Sequence, residues 1–274
     1  LMTSGSVGWY KAWALGEWSS PDPVPLFDLF MRNGESLGEV ARAKGVWRSI
    51  NRGAHFLRRN SRARARENIA FHYDLGNDFY RAWLDESMTY SSAFFSSLPQ
   101  AGGNQGEGLL QTDRPSPGPS REREGSLEAA QARKIRGLLD RLDLKPGQRL
   151  LEIGCGWGSL AEIAARDYGI HVVGLTLSEE QKAYADRRMA AAGLSDRVSI
   201  ELTDYRDVEG EYDAVASVEM VEAVGQAFWP AYLQAIARAL KPGGKAAIQF
   251  ISIREPLFDA YAASADFIQT YIFP

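Results

Sequence analysis

The chain has 274 residues, 45% of them hydrophobic and 24% charged, which is enough for one large domain or two modest ones and excludes collagenous, coiled-coil and wholly disordered classes. A single cysteine, Cys155, excludes an internal disulfide and makes a reducing compartment the expectation. The formal net charge of −4 hides a basic stretch, because between Met31 and Asn68 ten Lys or Arg residues stand against three acidic ones.

In chain order, residues 1–66 carry short helical patterns around Pro21-Asp22-Pro23, among them LFDLFMR and SLGEVARAKGVWRSINRGAHFLRR, and predict a basic helical lead-in. The initial leucine and the lack of a signal-peptide layout suggest a start further upstream. The basic stretch suits anionic phospholipid headgroups, at about 1 kcal/mol per basic side chain near the surface. It equally suits a phosphate backbone or a solvated helical face. Residues 67–95 are dense in aromatics, including Phe79, Tyr80, Trp83 and Tyr90, around the turn Gly76-Asn77-Asp78; such a block packs a core or walls an apolar pocket. Residues 96–125 are rich in Gly, Pro, Ser and charge and predict a flexible insertion.

From residue 126 to 274 the pattern is regular. A helix over 127–144 precedes the apolar run RLLEI (149–153) and the loop Gly154-Cys155-Gly156-Trp157-Gly158. There follow a helix (159–169), a strand (171–177), a helix (178–193), strands at 197–202 and 212–218, a helix (226–240), a turn at Lys241-Pro242-Gly243-Gly244 and a strand (245–252). Strands alternating with helices predict an α/β fold with a doubly wound, mostly parallel sheet. Ligands then gather at the carboxyl ends of the strands, where the first strand meets the switch point.

The glycine loop narrows the ligand. The NAD pattern G-x-G-x-x-G fails because the sixth position is Ser159, and the second strand ends Gly174-Leu175-Thr176 with no carboxylate. A P-loop fails because no Gly-Lys-Ser/Thr follows. Glu152 completes an E-x-G-x-G-x-G run, which resembles the loop of S-adenosylmethionine-dependent methyltransferases; another nucleotide in a doubly wound domain is the alternative. An acid at Glu152 fits a ligand with a positive sulfonium, and Asp204, after the third strand, is placed to meet an adenine edge.

Four segments carry a more specific resemblance: HYDLGNDFYRAWLDESMTYSSAFF (72–95), LEIGCGWGSLAEIAARDYGIHVVGLTLSEEQ (151–181), DYRDVEGEYDAVASVEMVEAVG (204–225) and YIFP (271–274). Together they resemble the cyclopropane fatty acid synthase family, whose members methylate unsaturated acyl chains of phospholipids with S-adenosylmethionine. The resemblance covers the chain from about Asn68 onward apart from residues 96–125, and the family runs on past YIFP. It implies a Rossmann-like class I methyltransferase fold. It further implies that Tyr90 and Ser91 meet the methionine end of the cofactor, that Gly154, Gly156 and Gly158 form its loop, that Thr176, Leu177 and Gln181 meet the ribose and adenine, and that Asp204, Tyr205 and Arg206 lie over the adenine.

The resemblance also implies a bicarbonate ion as the base that removes a proton after methyl transfer. In its cradle Glu222 matches the family's glutamate, while Ser92 replaces a cysteine and Gln249 a histidine; both replacements still donate hydrogen bonds to an anion. With the base displaced, the product changes from a cyclopropane to a methylene- or methyl-branched chain. The implied setting is the cytoplasmic face of a membrane, with the protein peripheral at an anionic surface and no nucleic acid as partner. Two rivals stand beside this reading: a non-catalytic lipid- or nucleotide-binding relative, and a nucleic-acid methyltransferase, which predicts steep salt dependence of binding. No metal-ligand spacing is present, and nothing marks Cys155 as a nucleophile.

Overall fold

The computed structural model describes residues 5–33, 76–95, 125–262 and 267. Most of the basic stretch, the 96–124 part of the insertion and the final YIFP lie outside the described residues. Along the chain run α1 (Gly5–Ala14), α2 (Val24–Arg32), α3 (Asn77–Arg81), α4 (Leu127–Leu142), β1 (Arg149–Ile153), α5 (Ser159–Tyr168), β2 (His171–Thr176), α6 (Glu179–Ala191) and β3 (Val198–Leu202). After them come β4 (Tyr212–Val218), α7 (Val221–Val224), α8 (Trp229–Ala239), β5 (Leu240–Gln249) and α9 (Glu255–Ala262). The chain divides into a smaller unit (1–74, 220–230 and 250–274) and a larger one (75–219 and 231–249).

Within the smaller unit, aromatic packing explains why the amino-terminal pattern folds. Trp9 stacks on Trp18 at 4.5 Å and meets Phe27 and Phe30 edge-on at 5.4 and 5.6 Å. The Trp18 indole N–H donates to the Trp9 carbonyl at 3.1 Å, so both the apolar face and the polar tip of the ring are used.

The larger unit holds a five-stranded sheet of order β3-β2-β1-β4-β5, parallel throughout. A central parallel strand is covered on both faces and therefore reads as a near-continuous apolar run, which is what RLLEI supplies: Leu150, Leu151 and Ile153 are all buried. On α4 the buried residues Ile135, Leu138, Leu139 and Leu142 recur at helical spacing and join Leu150, Val172, Ala214 and Ala216 in one core. The alternating Leu151, Ile153, Leu175 and Val215 are buried on the opposite face. Side-chain caps start two helices: Ser126 Oγ accepts from the Ala129 N–H and Ser178 Oγ from the Gln181 N–H, both at 3.2 Å.

Two expectations need correction. The helix predicted from Gln226 begins at Trp229, after a single 3-10 turn at Gln226–Phe228. The Lys241–Gly244 turn is taken into β5 as an irregularity, because Leu240 already pairs with Tyr212 while Lys245 pairs with Ala214, and the strand ends at Gln249. Lys241 is held there by Asp213 Oδ1 at 2.8 Å. Local turn chemistry favoured a break; pairing on both sides of the turn overrides it.

Candidate functional site

The carboxyl ends of β1 and β4 lie side by side where the strand order reverses, and the chemistry-bearing residues of the larger unit collect there. β1 runs into the glycine loop, in which Gly154, Gly156 and Gly158 have φ of +81°, +52° and +84°. Gly158 is fixed by packing as well, since a Cβ would come within 3.1 Å of Ala185 and 3.2 Å of Met189. At Gly156 a Cβ would meet nothing within 4 Å, so the loop is open on that side and a ligand can approach the backbone.

Beneath the loop, Glu152 is buried to 3% exposure. It accepts a hydrogen bond from the Ala161 N–H in the first turn of α5, yet its Oε2 has no partner among the described residues. Burial pushes its carboxyl up to about 8, against the opposing pull of Lys134, the Ala161 N–H and Arg188. A buried acid short of one partner beside an open glycine loop fits a cationic ligand group, and these residues therefore fit S-adenosylmethionine.

Residues 87–94 form a strap stitched to α4. Gln131 Nε2 donates to the Ser91 and Thr89 carbonyls at 2.7 and 3.3 Å, Lys134 Nζ to Ser91 Oγ at 2.5 Å, and Arg133 Nη1 to the Phe94 carbonyl at 3.0 Å. Burial brings the Lys134 ammonium down to about 8, partly offset by the negative charges of Glu219, Asp85 and Glu152. The strap carries Tyr90 into an aromatic group with Tyr80 at 5.6 Å and Trp83 at 5.3 Å, and Trp157 of the glycine loop tilts against Tyr80 at 4.8 Å. Burial, then Glu219, raises the Tyr90 hydroxyl above its ordinary range. The Trp157 indole N–H donates to Asn77 Oδ1 at 2.6 Å, which ties the loop to α3.

The other cofactor positions form two local groups. Thr176 and Gln181 are buried and engaged with each other, the Thr176 hydroxyl donating to Gln181 Oε1 at 2.8 Å, while Leu177 between them is half-buried. Asp204 Oδ1 accepts from the Arg206 N–H at 2.9 Å and Nε at 2.7 Å, and Tyr205 packs edge-on against Tyr232 at 5.4 Å. Cys155 is buried and its thiol is pushed well up by burial, consistent with an inert packing role.

The expected anion cradle comes together in part, around a residue the sequence did not single out. Ser92 and Gln249 meet at 3.1 Å, and both donate to Glu219: the Ser92 N–H at 2.9 Å, the Ser92 hydroxyl, and Gln249 Nε2 at 3.0 Å. Glu219 follows β4 with φ +51°, a left-handed conformation costing a non-glycine residue about 1 kcal/mol. Its own N–H donates to the Gln249 carbonyl at 2.8 Å. Glu222 belongs to the smaller unit, where Oε1 accepts from the Ile251 N–H and the buried Oε2 has no partner among the described residues. Bicarbonate does not fit Ser92 and Gln249 as they stand, because their donors are already directed at a carboxylate.

Comparison with known proteins identifies the family. Residues 60–274 match the family described as mycolic acid cyclopropane synthetase. The chain is 40% identical, over 98% of its length, to the tuberculostearic acid methyltransferase UfaA1 of Mycobacterium tuberculosis, and 32% identical, over 100%, to the cyclopropane-fatty-acyl-phospholipid synthase of Escherichia coli K12. It spans 58% and 62% of those relatives. The solved structure of mycolic acid cyclopropane synthase CmaA1 complexed with SAH and CTAB shares 30% identity and superposes with a TM-score of 0.53, covering 64% of this chain and 53% of that one. The parallel sheet, its order and its glycine loop are those of a Rossmann-like class I methyltransferase fold, and the chain belongs to the mycolic acid cyclopropane synthetase family.

Proposed function

We propose that the protein is an S-adenosylmethionine-dependent methyltransferase acting on the double bond of unsaturated acyl chains of phospholipids, with a cyclopropane or a methyl- or methylene-branched chain as product. The observation that carries this reading is Glu152, a buried carboxyl with one unpartnered oxygen on the central strand that runs into the glycine loop, which is open at Gly156. Family membership and the printed activities of the relatives support the same chemistry.

When bound, S-adenosylmethionine supplies a methyl group made electrophilic by an adjacent sulfonium. Gly154, Gly156 and Gly158 offer backbone to it, and Glu152 ionises to face its positive charge. Tyr90 and Ser91, held by Gln131 and Lys134, position its methionine end. Thr176, Leu177 and Gln181 border the ribose, while Asp204, Tyr205 and Arg206 border the adenine. The alkene is a poor nucleophile, so alignment in a dry site supplies much of the rate. Tyr90, packed against Tyr80 and Trp83, offers an aromatic ring to stabilise the positive charge left on the acyl chain.

No helix among the described residues is long and apolar enough to cross a membrane. The substrate is reached by docking at an anionic surface on the cytoplasmic face, with residues 31–68 supplying positive charge. The test is incubation with methyl-labelled S-adenosylmethionine and mono-unsaturated phospholipid, with the acyl chains analysed by mass spectrometry. A labelled one-carbon addition at the former double bond is expected; label absent from every acyl chain would refute the proposal.

A further inference from the structure

Among the described residues, Glu219 is the carboxylate that gathers the most donors on one oxygen without a cation in direct contact. The Ser92 N–H, the Ser92 hydroxyl and Gln249 Nε2 all converge on Oε1. Oε2 accepts no hydrogen bond from the described residues, and the side chain is half-buried. One oxygen is thus fixed in place and the other keeps its lone pairs, which is the arrangement a proton acceptor needs. The left-handed backbone at Glu219 holds the side chain in this position, tethered through its N–H to Gln249.

We propose that the Glu219 carboxylate is itself the base of the reaction and takes the place of an external bicarbonate ion. This deepens the function proposed above and rests on it. The donors that would cradle a small anion already hold an anion supplied by the chain. A second anion at the same spot would meet like-charge repulsion and find Ser92 and Gln249 committed. Ser92, which donates twice to Glu219, belongs to the same strap as Tyr90 and Ser91, so the carboxylate sits against the segment that carries the cofactor contacts.

In the step itself, a C–H bond of the newly added methyl group breaks. Its electron pair closes a ring C–C bond to the cationic carbon or, after a 1,2-hydride shift has moved the cation to the methyl-bearing carbon, forms a C=C bond to that carbon, and the proton passes to Glu219 Oε2. The carboxylic acid then returns the proton to water. No oxidant or reductant is consumed.

The test compares the protein with its Glu219→Gln and Glu219→Ala variants in buffer stripped of carbon dioxide, with and without added bicarbonate or formate. The unaltered protein is expected to turn over equally in both. Both variants should lose at least about 100-fold, with Glu219→Ala alone partly restored by the added anions, while calorimetric binding of S-adenosylhomocysteine stays unchanged in both and reports an intact fold. A bicarbonate requirement in the unaltered protein, or a Glu219→Gln variant at full rate, overturns the proposal. Absence of turnover by the unaltered protein on any unsaturated phospholipid refutes the wider functional reading instead. The base assignment is then decided by carbon-13 NMR with labelled bicarbonate: uptake by Glu219→Ala alone supports it, and uptake by the unaltered protein overturns it.

Discussion

Glu152 near the end of β1 and Glu219 just after β4 stand on adjacent strands, and their surroundings differ sharply. Glu152 is buried with one oxygen unpartnered, and burial raises it to about 8. Glu219 is half-buried, with three donors on one oxygen and the other oxygen open. The same functional group is therefore prepared for two tasks: a neutral acid that becomes an anion when a cation arrives, and an oriented carboxylate ready to accept a proton. Lys134 is coupled to both, and it also clamps the strap through Ser91.

The largest expected effect that would break the comparison comes from Gly158→Val, which puts a branched side chain at φ +84° against Ala185 and Met189. Loss of about 3 kcal/mol in denaturant unfolding is expected; an unchanged midpoint would show that the loop is looser than described. Next, Glu152→Gln keeps the shape of the acid and removes its charge, so affinity for S-adenosylmethionine should fall about 100-fold, on the scale of a buried charge pair losing one partner. Calorimetry would detect this, and a smaller loss for S-adenosylhomocysteine, which lacks the sulfonium charge, is expected.

The pH dependence sharpens the same point. Because Glu152 is raised from 4.5 to about 8, the folded protein keeps a proton that the unfolded chain gives up. The stability linked to that proton is complete below pH 4.5 and is lost as pH rises to about 8. Binding of a cationic ligand runs the other way and should strengthen toward pH 8, with proton release on binding visible in buffers of different ionisation enthalpy. Lys134→Met removes the cation facing Glu152 and the clamp on Ser91; a KM for the cofactor raised about tenfold, with the Glu152-linked pH dependence moved upward, is the expected outcome of losing that positive charge. The smallest effect is Ser178→Ala, which loses the α6 cap and about 1 kcal/mol of stability.

Much of this fold was legible because its elements announce themselves locally. RLLEI is apolar on both faces as a central parallel strand must be, and the Ser126 and Ser178 caps mark where helices begin. The glycine loop and Glu152 were readable from spacing alone. Glu219 was not, since an acid one position past a strand carries no periodic signal, and its partners Ser92 and Gln249 lie 127 and 30 residues away. The strap on α4 was hidden for the same reason: Gln131 and Lys134 read as ordinary helix residues until contacts across the 96–125 segment are seen. The Lys241–Gly244 irregularity shows the opposite failure, a strong local turn signal overruled by pairing with β4.

The most direct test of the central claim is titration of S-adenosylmethionine into the protein at pH 6 and pH 8, alongside Glu152→Gln. The account predicts saturable one-to-one binding that is tighter at pH 8, with the affinity about 100-fold weaker and its pH dependence lost in the variant. Absence of saturable binding at pH 8, or binding indifferent to both pH and Glu152, would contradict it.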